Sequence, residues 1–214
     1  MKNCIENKNE LLEDIGNIVL STMNQNIEPG MKLTYSNKSN FSIPDGYYAT
    51  YSLSLDLLCT FHSAICYEHI ASPEIGKFRT VKVWIGDTNS TEESAKFIPP
   101  NPEDVQNLIK ELLKDWQNNY QELKESTDKK SIISAITLFH HKFVSIHPFL
   151  DGNGRLSRYL LMLQASELLD IKHWITLEDK KIYFEALTKA DNGIYDPLEK
   201  VITQALFGIE EITC

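Results

Sequence analysis

The 214-residue sequence lacks the features that would place it in a specialised class of protein. No apolar run approaches the roughly 20 residues that a helix needs to cross a bilayer. The first residues lack the apolar segment of a secretory signal, so we expect a cytoplasmic protein. Delivery by a dedicated secretion machine would leave no signal that is recognisable here. The composition, 42% hydrophobic and 24% charged, is typical of a globular protein, and no membrane partner is expected.

Clustered positive charge and closely spaced cysteines are also missing. The formal net charge is −9, and no block of Lys and Arg offers a footprint for a nucleic-acid backbone, so we expect no nucleic-acid partner. The four cysteines, Cys4, Cys59, Cys66 and Cys214, stand without CxxC spacing. This pattern favours buried thiols in a reducing compartment over disulfides or a zinc site.

The sequence does contain helical periodicity, which predicts a mainly all-α fold. The clearest helix start is Asn101-Pro102-Glu103, because these residues suit an N-cap, the first turn and the positive end of the helix dipole. The pattern predicts helices over residues 8–23, 53–70, 102–123, 131–145 and 156–169, one from a Thr176 cap to Gly193, and a last one from Asp196. The 156–169 segment is apolar nearly all round, so we expect it at the centre of the domain.

Two segments break this periodicity. Residues 24–52 contain Pro29-Gly30 and Pro44-Asp45-Gly46, which are turn signals, and they predict a long ordered loop. Residues 78–85 alternate and are rich in β-branched and aromatic side chains, and residues 96–98 resemble a short returning strand. Because a lone hairpin is marginally stable, we expect this β-hairpin to lean on the helical body.

The stretch from His147 to Arg155 reads His-Pro-Phe-Leu-Asp-Gly-Asn-Gly-Arg and joins two predicted helices. We call residues 147–155 the signature loop. Its last residues lie at the start of the buried helix, where free N–H groups and the helix dipole favour an anion. Arg155 and Arg158 are about one turn apart, so both can face that anion with forked donors.

Two further residues of the signature loop carry chemistry. Asp151 is a hard oxygen ligand of the kind that Mg²⁺ accepts beside water and phosphate oxygens. His147 has an ordinary pKa that suits a general base near neutral pH. The loop therefore predicts a site for a metal-bound polyphosphate.

These residues match every defined position of the signature HPFx(D/E)GN(G/K)R, and by it the chain resembles the Fic (filamentation induced by cAMP) family. Residues 78–86 and 97–100 resemble the family's hairpin flap and the segment after it. The resemblance implies a Fic-type helical bundle with one β-hairpin flap, forming a catalytic domain over residues 53–214. Residues 1–52 would be an N-terminal helical extension and a candidate regulatory segment.

The resemblance further implies transfer of AMP from ATP, with Mg²⁺, to a Ser, Thr or Tyr hydroxyl of a target protein. By that analogy His147 deprotonates the hydroxyl and Asp151 holds the Mg²⁺. The implied phosphate-binding residues are Gly152, Asn153, Gly154, Arg155 and Arg158. The flap would dock the target as an added strand through Val83, Trp84, Ile85, Phe97 and Ile98.

The reaction itself stays open at this point. A lysine in place of Gly154 would mark the Doc-like, phosphorylating subgroup, so Gly154 favours AMP transfer over a kinase reaction. Removal of AMP from a modified protein is a second possibility, and a nucleotide-binding regulatory module without turnover is a third.

Control of the site is open as well. Family members carry an inhibitory glutamate that pairs with the second arginine, and Glu6 is the candidate here, against a plain surface acid at a terminus. An antitoxin or other inhibitory partner and a homodimer are both compatible with the sequence.

The remaining aromatic and imidazole side chains receive simpler interpretations. We interpret the lone His62 as structural. His140 and His141 point to different faces of one helix, which makes a metal site between them a poor hypothesis. Tyr183 and Phe184 are open to two interpretations, contact with adenine or packing in the helix core.

Overall fold

The structure is a computed structural model that describes residues 50–66, 73–86, 89–171, 177 and 179–208. Most of this part of the chain is α-helical, which confirms the mainly all-α fold class. The helices are α1 (Leu55–Cys66), α2 (Pro102–Glu125), α3 (Lys129–Ile146), α4 (Asn153–Leu169), α5 (Lys180–Ala190) and α6 (Asp196–Phe207). In these ranges, no helix combines the length and apolar character that spanning a bilayer requires.

Helix α4 lies at the centre of the helical body, as its apolar composition predicts. It packs most extensively on α3 and also contacts α1. The consecutive side chains from Leu160 to Leu163 are all almost fully buried, so this part of the helix has no solvent-facing side. Burying one leucine stabilises a fold by about 2 kcal/mol. Because α4 also begins at the signature loop, the most deeply buried helix supports the predicted site.

Helix α2 packs on α3 and starts where the sequence signals place it. Asn101 is the N-cap residue with extended backbone, Pro102 opens the helix, and Glu103 and Asp104 occupy the first turn. Its inward side chains recur every three or four residues: Val105, Ile109, Leu112, Leu113, Trp116, Tyr120 and Leu123. The last helix, α6, packs on α3 and α5 and completes the body.

The predicted start of α5 is wrong. The helix begins at Lys180 and not at a Thr176 cap, because the carboxylate of Asp179 accepts hydrogen bonds from the amides of Lys181 and Ile182 at 2.9 and 3.0 Å. Thr176 itself lies outside the described residues, as do the predictions for residues 8–23, for residues 24–49 and for the helical segment beyond Cys66.

The flap, which we define as residues 78–98, is less regular than the sequence predicts. Where the structure describes it, its β pairing is a single antiparallel bridge between Ile85 and Phe97, with the amide of Ile85 donating to the Phe97 carbonyl at 2.9 Å. The strand expected over residues 78–85 does not form, because the amide of Arg79 donates to the carbonyl of Pro148 at 2.9 Å and draws this stem to the signature loop. The returning side contains a short 3₁₀-helix, Glu92–Ser94.

A polar cluster joins the start of the described chain to α2 and α4. The carboxylate of Glu167 accepts hydrogen bonds from the amide and hydroxyl of Thr50 at 2.7 and 2.6 Å. It also accepts a bond from the Tyr120 hydroxyl, and the indole N–H of Trp116 donates to the Thr50 hydroxyl at 3.2 Å. Thr50 is 1% exposed, so this residue is an integral part of the helical body.

Candidate active site

The signature loop reverses the chain between α3 and α4 by means of two left-handed residues. His147 is the C-cap of α3 with φ 50° and ψ 61°, and its amide donates to the carbonyl of Phe143 at 3.2 Å. Gly152 is the N-cap of α4 with φ 78°. A left-handed backbone is costly for a histidine, and such strain is typical of functional sites.

Gly152 has no room for a side chain. A Cβ at this position would lie 2.4 Å from Sγ of Cys66 and 2.9 Å from Nε2 of His62. The positive φ and the close approach of α1 therefore both require glycine here.

Asn153 holds the signature loop closed. Its side chain, 2% exposed, accepts a hydrogen bond from the amide of Phe149 at 2.9 Å and donates to the carbonyl of the same residue at 2.7 Å. The Phe149 ring is fully buried and anchors the loop in the core. The Asn153 side chain thus positions the loop backbone, and its implied contact with phosphate stays a prediction.

The start of α4 presents unbonded amides. The first helical hydrogen bond runs from the amide of Leu156 to the carbonyl of Gly152 at 3.0 Å. No described group accepts a bond from the three preceding amides, those of Asn153, Gly154 and Arg155. Such a cluster at the positive end of a helix dipole binds anions.

Two arginines stand beside these amides. Arg158 lies against Gly154, since a Cβ there would be 3.3 Å from Nη1 of the guanidinium. Burial lowers the pKa of Arg158 from its ordinary value, and the charge of Arg155 lowers it further while Tyr183 opposes the shift. Because Arg158 makes no hydrogen bond or ion pair with any residue that the structure describes, its charge is available to an anion at α4.

The imidazole of His147 is neutral near pH 7. Burial lowers its pKa to about 4, and the charge of Arg79 adds to this, while the Val144 carbonyl and Asp151 oppose it. Nδ1 is buried without a hydrogen-bond partner among the described residues. The neutral ring has one unprotonated nitrogen, which can accept a proton from a hydroxyl, whereas a protonated ring cannot.

Asp151 is the one carboxylate of the signature loop, and it points outward. One of its oxygens accepts a hydrogen bond from the amide of Gly152 at 2.6 Å, and the side chain is exposed. In the described residues, no three or more carboxylate, imidazole or thiol groups are arranged so that they could hold a metal ion by themselves. A single carboxylate beside an anion site fits Mg²⁺, which is commonly held by one or two carboxylates together with phosphate oxygens and water.

A cavity of about 280 Å³ opens beside the last turn of α3, the helix that leads into the signature loop. Its walls come from the flap, the C-terminal turn of α3 and α5, and include Ile85, Phe97, Val144, Phe184, Leu187 and Asp191. The sequence could not reveal it, because the three walls are far apart in the chain. Of the predicted flap residues, the cavity contains Ile85 and Phe97, whereas Trp84 and Ile98 are exposed and Val83 is half-buried.

A sequence model described as the Fic/DOC family matches residues 52–165, which include the signature loop and the flap. The chain belongs to this family. The protein adenylyltransferase Fic of Nematostella vectensis is 27% identical over 153 residues, which are 72% of this chain and 32% of that relative. The protein adenylyltransferase fic-1 of Caenorhabditis elegans is 30% identical over 131 residues, 61% of this chain and 23% of the relative. A probable protein adenylyltransferase of Aquifex aeolicus (strain VF5) is 38% identical over 109 residues, 50% of this chain and 30% of the relative.

Solved structures show the same fold. A Fic family protein of Desulfovibrio desulfuricans G20 aligns with a TM-score of 0.54 at 23% identity, over 74% of this chain and 46% of that one. Fic-1 of Caenorhabditis elegans aligns with a TM-score of 0.53 at 26% identity, over 72% of this chain and 41% of that one. BepC of Bartonella tribocorum aligns with a TM-score of 0.58 at 13% identity, over 94% of this chain and 86% of that one. The Fic-type helical architecture is thereby confirmed, while the chain spans only about a quarter to a third of the length of the curated relatives.

Within this Fic/DOC domain, His62 of α1 supports the signature loop, although the sequence interpretation gave it no such role. Its ring stacks on Phe149 with centroids 3.9 Å apart and an angle of 6°. Nδ1 accepts a hydrogen bond from the amide of Gly76 at 2.9 Å, so Nε2 carries the proton and donates to the Asp151 carbonyl at 2.9 Å. Burial lowers the pKa of His62, in keeping with this neutral form. No local pattern signals this role, since His62 and Asp151 are 89 residues apart.

The structure separates the two aromatic residues that the sequence left undecided. Tyr183 is buried in the core, where its hydroxyl lies 2.9 Å from Nε2 of His140. Phe184 is 56% exposed and lines the cavity. Of the adjacent histidines, His140 is a core residue, and His141 pairs at 2.8 Å with Asp191 at the cavity wall. Glu6 lies outside the described residues.

Proposed function

We propose that this Fic/DOC-family protein transfers AMP from ATP to a hydroxyl side chain of a target protein. The observation that carries the proposal is the complete signature, folded as a closed loop between a neutral imidazole and the free amides at the start of α4. Relatives named protein adenylyltransferase support the same reaction class.

The chemistry assigned to the chain's own residues is acid–base catalysis and charge neutralisation. His147 takes the proton of the attacking hydroxyl as its oxygen bonds to the α-phosphorus. The bond from that phosphorus to the bridging oxygen of the β-phosphate breaks, and pyrophosphate leaves. The amides at the start of α4, with Arg155 and Arg158, neutralise the phosphates. Nucleotidyl transfer of this kind depends on positioning and electrostatics more than on covalent help from the protein.

The proposal assigns Mg²⁺ to Asp151. The ion would bind phosphate oxygens and withdraw charge from them when bound. The free carboxylate oxygen and the exposure of Asp151 support this assignment.

The nucleobase is proposed to occupy the cavity between the flap, the last turn of α3 and α5. A volume of about 280 Å³ is sufficient for a purine ring, and the exposed ring of Phe184 offers an aromatic face for stacking. The adenine interpretation of Phe184 therefore becomes part of the proposal, and that of Tyr183 does not.

The target protein is proposed to dock on the flap, whose side chains Val81, Trp84 and Ile98 are 53%, 45% and 54% exposed. An extended peptide can add to the open backbone of such a segment as a strand, which makes recognition depend on backbone more than on side chains. The division into an extension of residues 1–52 and a catalytic domain of residues 53–214 is part of the same proposal. The proposal also includes binding of an inhibitory partner protein and formation of a homodimer.

The test is label transfer in a cell lysate. Protein incubated with Mg²⁺ and α-labelled ATP is expected to label itself or a target, and mass spectrometry of the product is expected to show added AMP. His147→Ala is expected to abolish the label while ATP binding, measured by calorimetry, is retained. The matched control is Lys200→Ala, an exposed change on α6 far along the chain from the signature loop, which should leave transfer unchanged.

Different label patterns would identify different reactions. Label that arrives only from γ-labelled ATP would indicate a kinase of the Doc type. Loss of AMP from a modified protein would indicate the reverse activity. Stabilisation by Mg-ATP without any transfer would indicate a nucleotide-binding module.

A further inference from the structure

Arg79 is a buried cation at the base of the flap. It is 4% exposed, and its guanidinium donates to four backbone carbonyls. The bonds run from Nε to His147 at 2.7 Å, from Nη1 to Val81 at 3.1 Å, and from Nη2 to Pro100 and Ile146 at 2.6 and 3.3 Å. No carboxylate in the described part of the chain pairs with it.

The four carbonyls belong to two different parts of the site. Those of Ile146 and His147 are at the C-terminal end of α3, where unpaired carbonyls and the helix dipole favour a cation. That of Val81 lies in the flap before its bridge, and that of Pro100 lies just after the end of the flap. A single side chain thus joins the backbone of the imidazole residue to the chain on both sides of the bridge.

The geometry requires a guanidinium in particular. The planar guanidinium of Arg79 donates hydrogen bonds from three separate nitrogens. The ammonium of a lysine has three donors on a single nitrogen, so it cannot reach all four carbonyls. A cap of α3 alone would need only the bonds to Ile146 and His147. The additional bonds to Val81 and Pro100 have no part in capping, which argues for a role beyond helix stability.

We propose that Arg79 is a positioning residue that fixes the flap relative to His147, so that a hydroxyl presented on the flap meets the imidazole in a productive geometry. This inference rests on the proposed function for its consequence in catalysis. Displacing reacting groups by about 1 Å can cost on the order of 100-fold in rate. Because Arg79 does not touch the amides at the start of α4 or Arg158, phosphate binding should depend on it little, and ATP affinity should change only through the cavity walls Ile85 and Phe97.

The kinetic test uses Arg79→Lys, which keeps the charge and loses the fork. We expect kcat for AMP transfer to a protein acceptor to fall by about 100-fold, with a much smaller change in the Kd for Mg-ATP. In Arg79→Ala, added guanidinium should restore part of the rate. Lys110→Ala is the matched control, since Lys110 is an exposed cation on α2, outside the flap and the signature loop, and it should transfer at the wild-type rate.

A second measurement does not depend on turnover. In NMR spectra of Arg79→Lys, the imidazole signals of His147 and the amide signals of Ile85 and Phe97 should shift together, and they should stay unchanged in Lys110→Ala. Failure of the wild-type protein to transfer AMP would count against the proposed function and leave this spectral test valid. A transfer rate within about threefold of wild type in Arg79→Lys, or a loss of transfer matched by an equal loss of ATP affinity and folding, would overturn the positioning role.

Discussion

The flap lines the cavity and the signature loop follows the last turn of α3, which lines it too, but the fold holds the two segments in opposite ways. The loop is closed by a helix at each end and by the Asn153 side chain, and it is stacked against His62. The described flap has one β bridge and carries exposed apolar side chains such as Trp84 and Ile98. The difference corresponds to two tasks: one region must hold charged groups in fixed places, and the other must leave backbone open to a partner.

The contrast predicts that substitutions of equal size will change the unfolding free energy much more in the signature loop than in the flap. Four changes test this, in order of decreasing expected effect.

Gly152→Ala should give the largest loss. A left-handed residue with a side chain and a contact 2.4 Å from Cys66 Sγ should together cost more than about 3 kcal/mol of unfolding free energy and abolish transfer. The control is Gly193→Ala, which has φ +80° but nothing within 4 Å of the added Cβ, so its cost should be only about 1 kcal/mol. Urea unfolding measures both, and equal losses would show that α1 does not crowd Gly152.

Acid should lower the unfolding free energy through His140 of α3, the helix that leads into the signature loop. The flap sequence contains no histidine that could add to this effect. Burial lowers the pKa of His140 to about 4, so between its ordinary pKa and that value the unfolded chain binds more protons than the folded one. Stability should therefore fall as the pH drops from about 6.5 towards 4, by about 1.4 kcal/mol per pH unit at most from this group. His140→Gln should reduce the pH dependence of urea unfolding, and an unchanged slope would contradict it.

Asn153→Ala should cost about 1–3 kcal/mol, because it leaves the amide and carbonyl of buried Phe149 without partners. Asn192→Ala is the matched control, since that exposed side chain donates one bond to the Thr188 carbonyl at 2.8 Å and should change stability by less than about 0.5 kcal/mol. Thermal unfolding separates the two variants. An equally small loss of stability in the two variants would mean that the signature loop closes without the hydrogen bonds of the Asn153 side chain.

Trp84→Ala should have the smallest effect on stability and a clear effect on target use. The indole is 45% exposed and its N–H donates to the Ser90 carbonyl within the flap, so the unfolding free energy should change by less than about 0.5 kcal/mol. The KM for a protein acceptor should rise severalfold while ATP binding is unaffected. Unchanged acceptor kinetics would remove Trp84 from the docking surface.

Features that depend on neighbouring residues in the chain could be predicted from the sequence. The start of α2 depends on Asn101 and the residues directly after it, and the central position of α4 follows from its lack of a polar face. The signature loop was likewise recognisable because its chemistry is contiguous. In each case the relevant physics acts within one or two turns of the chain.

Features that depend on distant contacts could not be predicted. Alternation over residues 78–85 indicates extended backbone but not its partner, and here Pro148 competes with the returning segment for hydrogen bonds. Asp179 and Thr176 are both good caps, and only the fold selects between them. The supporting role of His62 and the exposure of Phe184 arise from helices that are remote in sequence.

The bonds around Thr50 have a practical consequence for the preparation of the protein. A fragment cut at residue 53, the boundary expected from the sequence, would lose both donors that Thr50 brings to Glu167 and the hydroxyl that accepts the Trp116 indole N–H. The Glu167 carboxylate would then keep only the Tyr120 hydroxyl as a described side-chain partner. Trimmed versions for crystallisation should therefore begin upstream of residue 50, and a fragment that begins at residue 53 should melt at a lower temperature than one that keeps Thr50.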